Sequence, residues 1–159
     1  MLESVKVKAV ELFSVVDEVF QNGGSAWITV TGMSMYPFLR EGVDSVELSK
    51  TSYDSVKKYD IVLIRRKCGG YVMHRILKKD KECFYIIGDA QQWVEGPLKP
   101  EQLKAYVTRI KREKHIISVN NMLFKIASRI WMILIPFRYK IISAYSRLSR
   151  FIRLHVSTR

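Results

Sequence analysis

Cysteine, histidine and, towards the C-terminus, acidic residues are what this chain has least of. Its 159 residues include two cysteines, Cys68 and Cys83. They lack the paired spacing of a zinc site and are too few for a disulfide framework, so free thiols, no metal and no cofactor are expected. Only His74, His115 and His155 can supply an imidazole. No acidic residue follows Glu113, whereas nine lysines and arginines do; of the net charge of +12, the first 113 residues carry +3 by difference. That asymmetry gives the last third an anionic surface as partner. The aromatics there are interleaved with long aliphatics rather than presented singly for base stacking, so no nucleic-acid partner is expected.

Long uninterrupted apolar runs are also missing. Leu2, Val5, Ala9, Leu12, Phe13, Val16, Val19 and Phe20 fall at helical spacing and stop at Asn22-Gly23-Gly24, which predicts an amphipathic helix over residues 1–24. Glu3, Glu11, Asp17 and Glu18 interrupt it too often for a signal peptide or a membrane span. Residues 121–137 are rich in Ile, Leu, Met, Phe and Trp but contain Lys125 and Arg129. After Pro136 the pattern resumes with Ile141, Tyr145, Leu148 and Ile152 on one face. A span needs about 20 mostly apolar residues. The expectation for 120–159 is therefore a basic helical appendage lying in a membrane interface, apolar side towards the acyl chains and cations among headgroups. The alternatives are a helical hairpin packed on the protein's own surface and a single span over 122–137.

Between these ends the periodicity changes. Short β-prone runs at 26–30, 43–48, 60–66, 71–78, 83–87, 105–111 and 115–119 are separated by Gly42, Gly69-Gly70, Asp80 and Gly96-Pro97, with no helical pattern between them. One domain over 25–119 follows, mainly β, built as a small antiparallel barrel or sandwich.

The organising stretch is Val30 to Leu39, where Trp27-Ile28-Thr29-Val30 break at Gly32 and Ser34 stands between Met33 and Met35, with Pro37 three residues on. A strand ending in a tight turn presents one hydroxyl. So much apolar weight beside it suggests a groove for an apolar ligand. Serine attacks only when a base takes its proton. His74 lies in a strand-like stretch, sharing a face with Val72 and Ile76 while Met73 and Arg75 point the other way. It is either a core histidine or a base held in a dry cleft.

Gly32-Met33-Ser34-Met35-Tyr36-Pro37 resembles the Gly-x-Ser-Met-x-Pro nucleophile box of the signal peptidase and LexA-like serine peptidases. Asp60-Ile61-Val62-Leu63 is similar to their Gly-Asp-Ile-Val strand, with Tyr59 where glycine is usual. His74-Arg75-Ile76 resembles the His-Arg-Val of the Ser-His branch, found in archaeal, endoplasmic reticulum and sporulation-type signal peptidases. Gly88-Asp89 looks like the later Gly-Asp box. The four occur in the family's order over roughly residues 25–112.

The resemblance implies that family's β-rich catalytic fold and a serine endopeptidase cutting a precursor, signal or leader peptide. Ser34 would be the nucleophile and His74 the general base. Asp89, or Glu95 six residues further on, would orient the imidazole. Met35, Tyr36 and Pro37 would face substrate, while Arg75, next to the base, would either hold a substrate carboxylate or be simply a paired strand residue. The Ser34 backbone N–H would meet the oxyanion; Gly32 stands where many signal peptidases add a hydroxyl, leaving Thr31 as the nearest substitute. An ordinary histidine pKa near 6.5 predicts activity rising through about pH 6 to 7. Without an export signal, the expected location is peripheral, at the cytoplasmic face of a membrane. Two other readings stay open. One is a non-catalytic peptide-binding or regulatory module on the same fold. The other is a LexA-like self-cleaving regulator, for which Cys68-Gly69 is the one candidate scissile bond and residues 1–24 are short for a helix-turn-helix.

Overall fold

A computed structural model describes residues 16 and 18–156, with side chains placed as far as 147. The chain is mainly antiparallel β. Eight strands form one sheet: β1 (Ser25–Thr29), β2 (Asp44–Lys50), β3 (Ile61–Arg65), β4 (Tyr71–Lys79), β5 (Phe84–Ile87), β6 (Glu95–Leu98), β7 (Leu103–Arg112) and β8 (His115–Ser118). Their order is β1-β2-β7-β3-β4-β5-β6. One edge of β7 is taken wholly by β2, while the other is shared between β3 at its start and β8 at its end. Two helices follow, α1 (Met122–Ile133) and α2 (Arg138–Val156), joined by a turn at Ile135–Phe137. The amphipathic helix expected over 1–24 lies outside the described residues except at its end, where Val16 and Phe20 are helical and join the core.

The unbroken apolar run Ile61-Val62-Leu63-Ile64 is explained by burial on both faces of β3. Ile61 and Leu63 pack with Val46, Leu48, Val107 and Ile110 in one cluster. Val62 and Ile64 pack with Ile76, Phe84, Ile86 and Leu98 in the other. β4 continues the division, with Met73 against the first cluster and Val72 and Ile76 in the second. The expected face-sharing of His74 with Val72 and Ile76 follows from that alternation.

All seven expected strands occur, with no end displaced by more than two residues. β6 was not expected, because Gly96-Pro97 reads as a break. The segment survives as a strand because it is the sheet's edge, where a proline removes no ladder bond from a further neighbour. Its Gly96 is obligatory: at φ 150°, a Cβ there would stand 2.6 Å from the Tyr85 ring. The two cysteines are both free.

α1 starts where Asn121 caps it, the side-chain oxygen accepting from Leu123 N (2.8 Å) and Phe124 N (3.4 Å). It stops before Pro136, as the residue pattern indicates. One face, with Ser128, Trp131 and Met132 buried, packs on the domain; Met122, Leu123, Ile126, Ile130 and Ile133 on the other are exposed. α1 is thus docked along one side and apolar on the side that faces outward. Among the described residues no helix is long and apolar enough to cross a membrane.

Tyr59 adopts φ 78°, a left-handed conformation that disfavours any side chain bearing a Cβ. Its backbone is held there from both ends, the N–H donating to Ile76 O (2.8 Å) and the carbonyl accepting from Arg75 Nη1 (3.0 Å). Tyr59→Gly is expected to raise the unfolding free energy by about 1 kcal/mol in urea titration; a loss of stability would show that the tyrosine ring's contacts outweigh the backbone strain.

Candidate functional site

The turn that carries Ser34 is fixed at its base by a buried carboxylate that local pattern does not reveal. Asp44, fully buried at the start of β2, accepts from Arg40 N (2.9 Å), the Arg40 guanidinium (3.1 and 3.3 Å) and the Arg112 guanidinium (2.8 and 3.1 Å). Arg112 also donates to Phe38 O (2.9 Å). Within the turn, Gly32 at φ 82° donates its N–H to Glu41 Oε1 (2.9 Å), and Leu39 N donates to Met35 O (2.9 Å). Ser34 is half-buried and Thr31 exposed.

Ser34 is tied to the loop that leaves β5. Its carbonyl accepts from Ala90 N at 2.8 Å and lies so near Gly88 that a Cβ there would stand 2.6 Å away. Only glycine tolerates that approach. β5 is the strand paired with β4, where Ile87 lies opposite Arg75, the neighbour of His74. On its other side β4 places His74 opposite Val62 of β3.

His74 is 2% exposed, and among the described residues neither ring nitrogen has a hydrogen-bond partner, Ser34 Oγ included. Burial, which penalises the imidazolium, pulls its pKa down to about 4; Glu95 and Asp89 pull upward and Arg66 pushes further down. The imidazole is therefore neutral at physiological pH, and the titration expected near 6.5 moves well into the acid range.

Both carboxylates expected to orient the imidazole are held by arginines instead. Asp89, fully buried, takes a two-pronged contact from Arg75, Nε to Oδ1 at 3.0 Å and Nη2 to Oδ2 at 2.7 Å. Glu95 takes the same kind of contact from Arg66, at 2.7 and 2.6 Å. That guanidinium holds the Glu95 carboxyl below its usual range, with a smaller contribution from His74. The two acids act on His74 through the field rather than through a hydrogen bond.

Two expected substrate-facing side chains are turned inward. Met35 packs in the first core cluster beside Leu39, and Arg75 is 1% exposed with its guanidinium engaged by Asp89 and Tyr59 O. Tyr36 and Pro37 are half-buried. Tyr36 stacks near Tyr145 of α2, ring centroids 6.4 Å apart, and burial raises its phenol pKa, with Tyr145 adding to the effect.

Three residues that bear on the site carried no sequence signal. Arg66 was an ordinary strand-end cation, and Trp131 one aromatic among many. Arg138 was one of the nine positives assigned to headgroups, yet it is fully buried. It donates to Gly88 O (3.1 Å), Trp131 O (3.2 Å) and Met132 Sδ (2.9 Å), and lies 4.0 Å from Asp89 Oδ1. Trp131 Nε1 donates to Asp89 O (2.9 Å), and its ring and Phe124 flank Phe38 of the Ser34 turn. α1 is thereby part of the wall around the site.

Comparison with protein-family models finds no match, and no curated protein matches the chain.

Two measurements test this electrostatic arrangement. Asp89→Ala leaves the buried Arg75 without its counter-ion and is expected to lose about 3 to 5 kcal/mol in denaturant unfolding; a loss under 1 kcal/mol would mean the pair is solvated. The His74 shift has a definite sign. Because the folded value lies below the unfolded one, the unfolded chain takes up the proton first as pH falls. Stability is complete above about 6.5 and declines towards pH 4, by on the order of 3 kcal/mol for this group. His74→Leu should flatten that part of the stability profile, and an unchanged slope would refute a buried neutral imidazole.

Proposed function

We propose that the chain is a serine endopeptidase of signal-peptidase-like type, in which Ser34 Oγ attacks a peptide carbonyl and His74 takes its proton. The observation that carries this reading is His74 itself: a buried imidazole, neutral at physiological pH, with no hydrogen-bond partner on either nitrogen among the described residues. Leaving such a group unsatisfied costs about 1 to 3 kcal/mol, which a purely structural residue has no reason to bear. A base that receives its partner only when substrate closes the site explains it, since catalytic hydrogen bonds are often open in the free enzyme.

Further support comes from the backbone. The Ser34 carbonyl is bonded to the Gly88–Ala90 loop, and that loop follows the strand paired with the one bearing His74. Tyr59 holds at φ 78° the conformation suited to glycine, the residue usual at that place in the signal peptidase and LexA-like peptidases. On this reading the sheet is that family's catalytic β fold. After proton transfer, His74 passes the proton to the leaving amine; the resulting imidazolium is stabilised by the fields of Glu95 and Asp89. The Ser34 N–H meets the oxyanion.

The apolar outer face of α1 and the acid-free basic end of the chain support a peripheral position on an anionic membrane face. The cytoplasmic leaflet is such a surface, and the substrate would be a precursor or leader peptide presented there. The open dyad and the arginine-held carboxylates favour one second reading, a peptide-binding module that does not cut.

The deciding experiment incubates the full chain with a fluorophosphonate probe and a signal-like peptide library, beside Ser34→Ala and His74→Ala. Wild-type labelling or cleavage is expected, abolished in both variants, with activity rising through about pH 4 rather than 6 to 7. Indistinguishable behaviour of all three proteins would leave the peptide-binding reading.

A further inference from the structure

On the face of β4 opposite His74, a cavity of about 440 Å³ opens between the 51–61 loop and the flank of α1. Four cations line it: Lys57 and Lys58 from the loop, Lys125 and Arg129 from successive turns of the helix. Among the described residues none of the four has an ion-pair partner. The Lys58 ammonium lies over the Tyr59 ring, 4.9 Å from its centroid. Arg75 also reaches the wall, but its charge is matched by Asp89. The one carboxylate in the lining, Asp60, accepts from Lys57 N (2.8 Å). Positive charge is therefore in excess.

A second, independent feature marks the same place. Ser128 lines the cavity, is 4% exposed, and its Oγ has no hydrogen-bond partner among the described residues. A helical serine ordinarily satisfies its hydroxyl on water or on a carbonyl one turn back. Among the described residues this one has neither, and it lines the same cavity as Lys125 and Arg129.

We propose that this cavity binds a phosphate group. Lysine ammoniums act on phosphate as point charges, the Arg129 fork offers paired donors, and the Ser128 hydroxyl supplies a fixed hydrogen bond to one oxygen. The placement on α1 points to the headgroup of an anionic phospholipid as the source. Lys125 and Arg129 lie on the boundary between the docked face and the outward apolar face of Met122, Ile126, Ile130 and Ile133, the level at which headgroups sit when that face meets acyl chains. The lipid source rests on the membrane position proposed above, whereas the phosphate site does not, and a soluble phosphate would use the same donors.

The test measures binding of the full chain to phosphatidylcholine vesicles with and without phosphatidylglycerol, and to inorganic phosphate against chloride at equal ionic strength. The variants are Ser128→Ala, Lys57→Ser with Lys58→Ser, and Ile126→Ser with Ile130→Ser. Ser128→Ala removes no charge and no existing hydrogen bond and takes away an unsatisfied buried hydroxyl, so its Tm is expected to be no lower than that of wild type. Loss of about tenfold in affinity for both anionic vesicles and phosphate in this variant is the expected result, corresponding to one charge-assisted hydrogen bond. Phosphate binding that depends on Ser128, without any vesicle binding, would keep the site and overturn the membrane position. Vesicle binding lost only in the Ile126 and Ile130 variant, with Ser128→Ala unchanged, would keep the membrane position and overturn the site. Binding to neither probe overturns both.

Discussion

The Arg75–Asp89 pair, with Arg138 beside it, is the constraint on which the rest of the arrangement depends. These three fully buried charged residues come from β4, the loop after β5 and the start of α2. Removing charge from water is expensive, and their mutual attraction offsets that only when the remaining donors are satisfied. Here they are: Arg75 completes its bonds on Tyr59 O, and Arg138 on Gly88 O and Trp131 O. Every one of those acceptors is a backbone carbonyl of a segment that has to be held still. The cluster therefore fixes the strained Tyr59, the Gly88 loop and the start of α2 together. Through Phe38, over which the Arg75 guanidinium stacks at 4.9 Å, it reaches the Ser34 turn.

The contrast between neighbours on β4 follows from the same architecture. His74 and Arg75 point to opposite faces, and both faces are covered, so each polar side chain lost its water on folding. Arg75 met a carboxylate and is paired with it. His74 met none within hydrogen-bonding distance and is held neutral instead. A half-solvated sheet would have left the histidine near its ordinary pKa.

α1 belongs to two environments at once. Its inner face closes the site through Trp131 and Phe124, while its outer face is apolar and exposed. Anything that engages the outer face acts on an element in contact with Asp89 and Phe38. The helix thus links its exposed outer face mechanically to the Ser34 turn, and the cation-lined cavity lies at its flank.

The sequence by itself determined the features written in short-range patterns. Short β-prone runs between glycine, proline and aspartate breaks marked seven strands, and alternation along one of them placed His74 with Val72 and Ile76; Gly32 and Pro37 marked the turn presenting Ser34; Pro136 separated the helices. Those signals are local because side-chain direction in a strand or helix repeats over two to four residues. Only the tertiary structure decided the partners. Asp89 and Glu95 were legible as candidate orienters, but which cation each would meet depends on Arg75 and Arg66, fourteen and twenty-nine residues away in the chain. Met35 read as groove lining and became core, because the turn folds it back towards Leu39. β6 hid behind a Gly-Pro pair that only an edge position makes tolerable. Arg138 read as one more headgroup cation, and its burial against Gly88 follows from the docking of α1. A charge pattern records how many cations a segment carries, but whether a given one meets water, lipid or a buried carbonyl is set by what the fold brings opposite it.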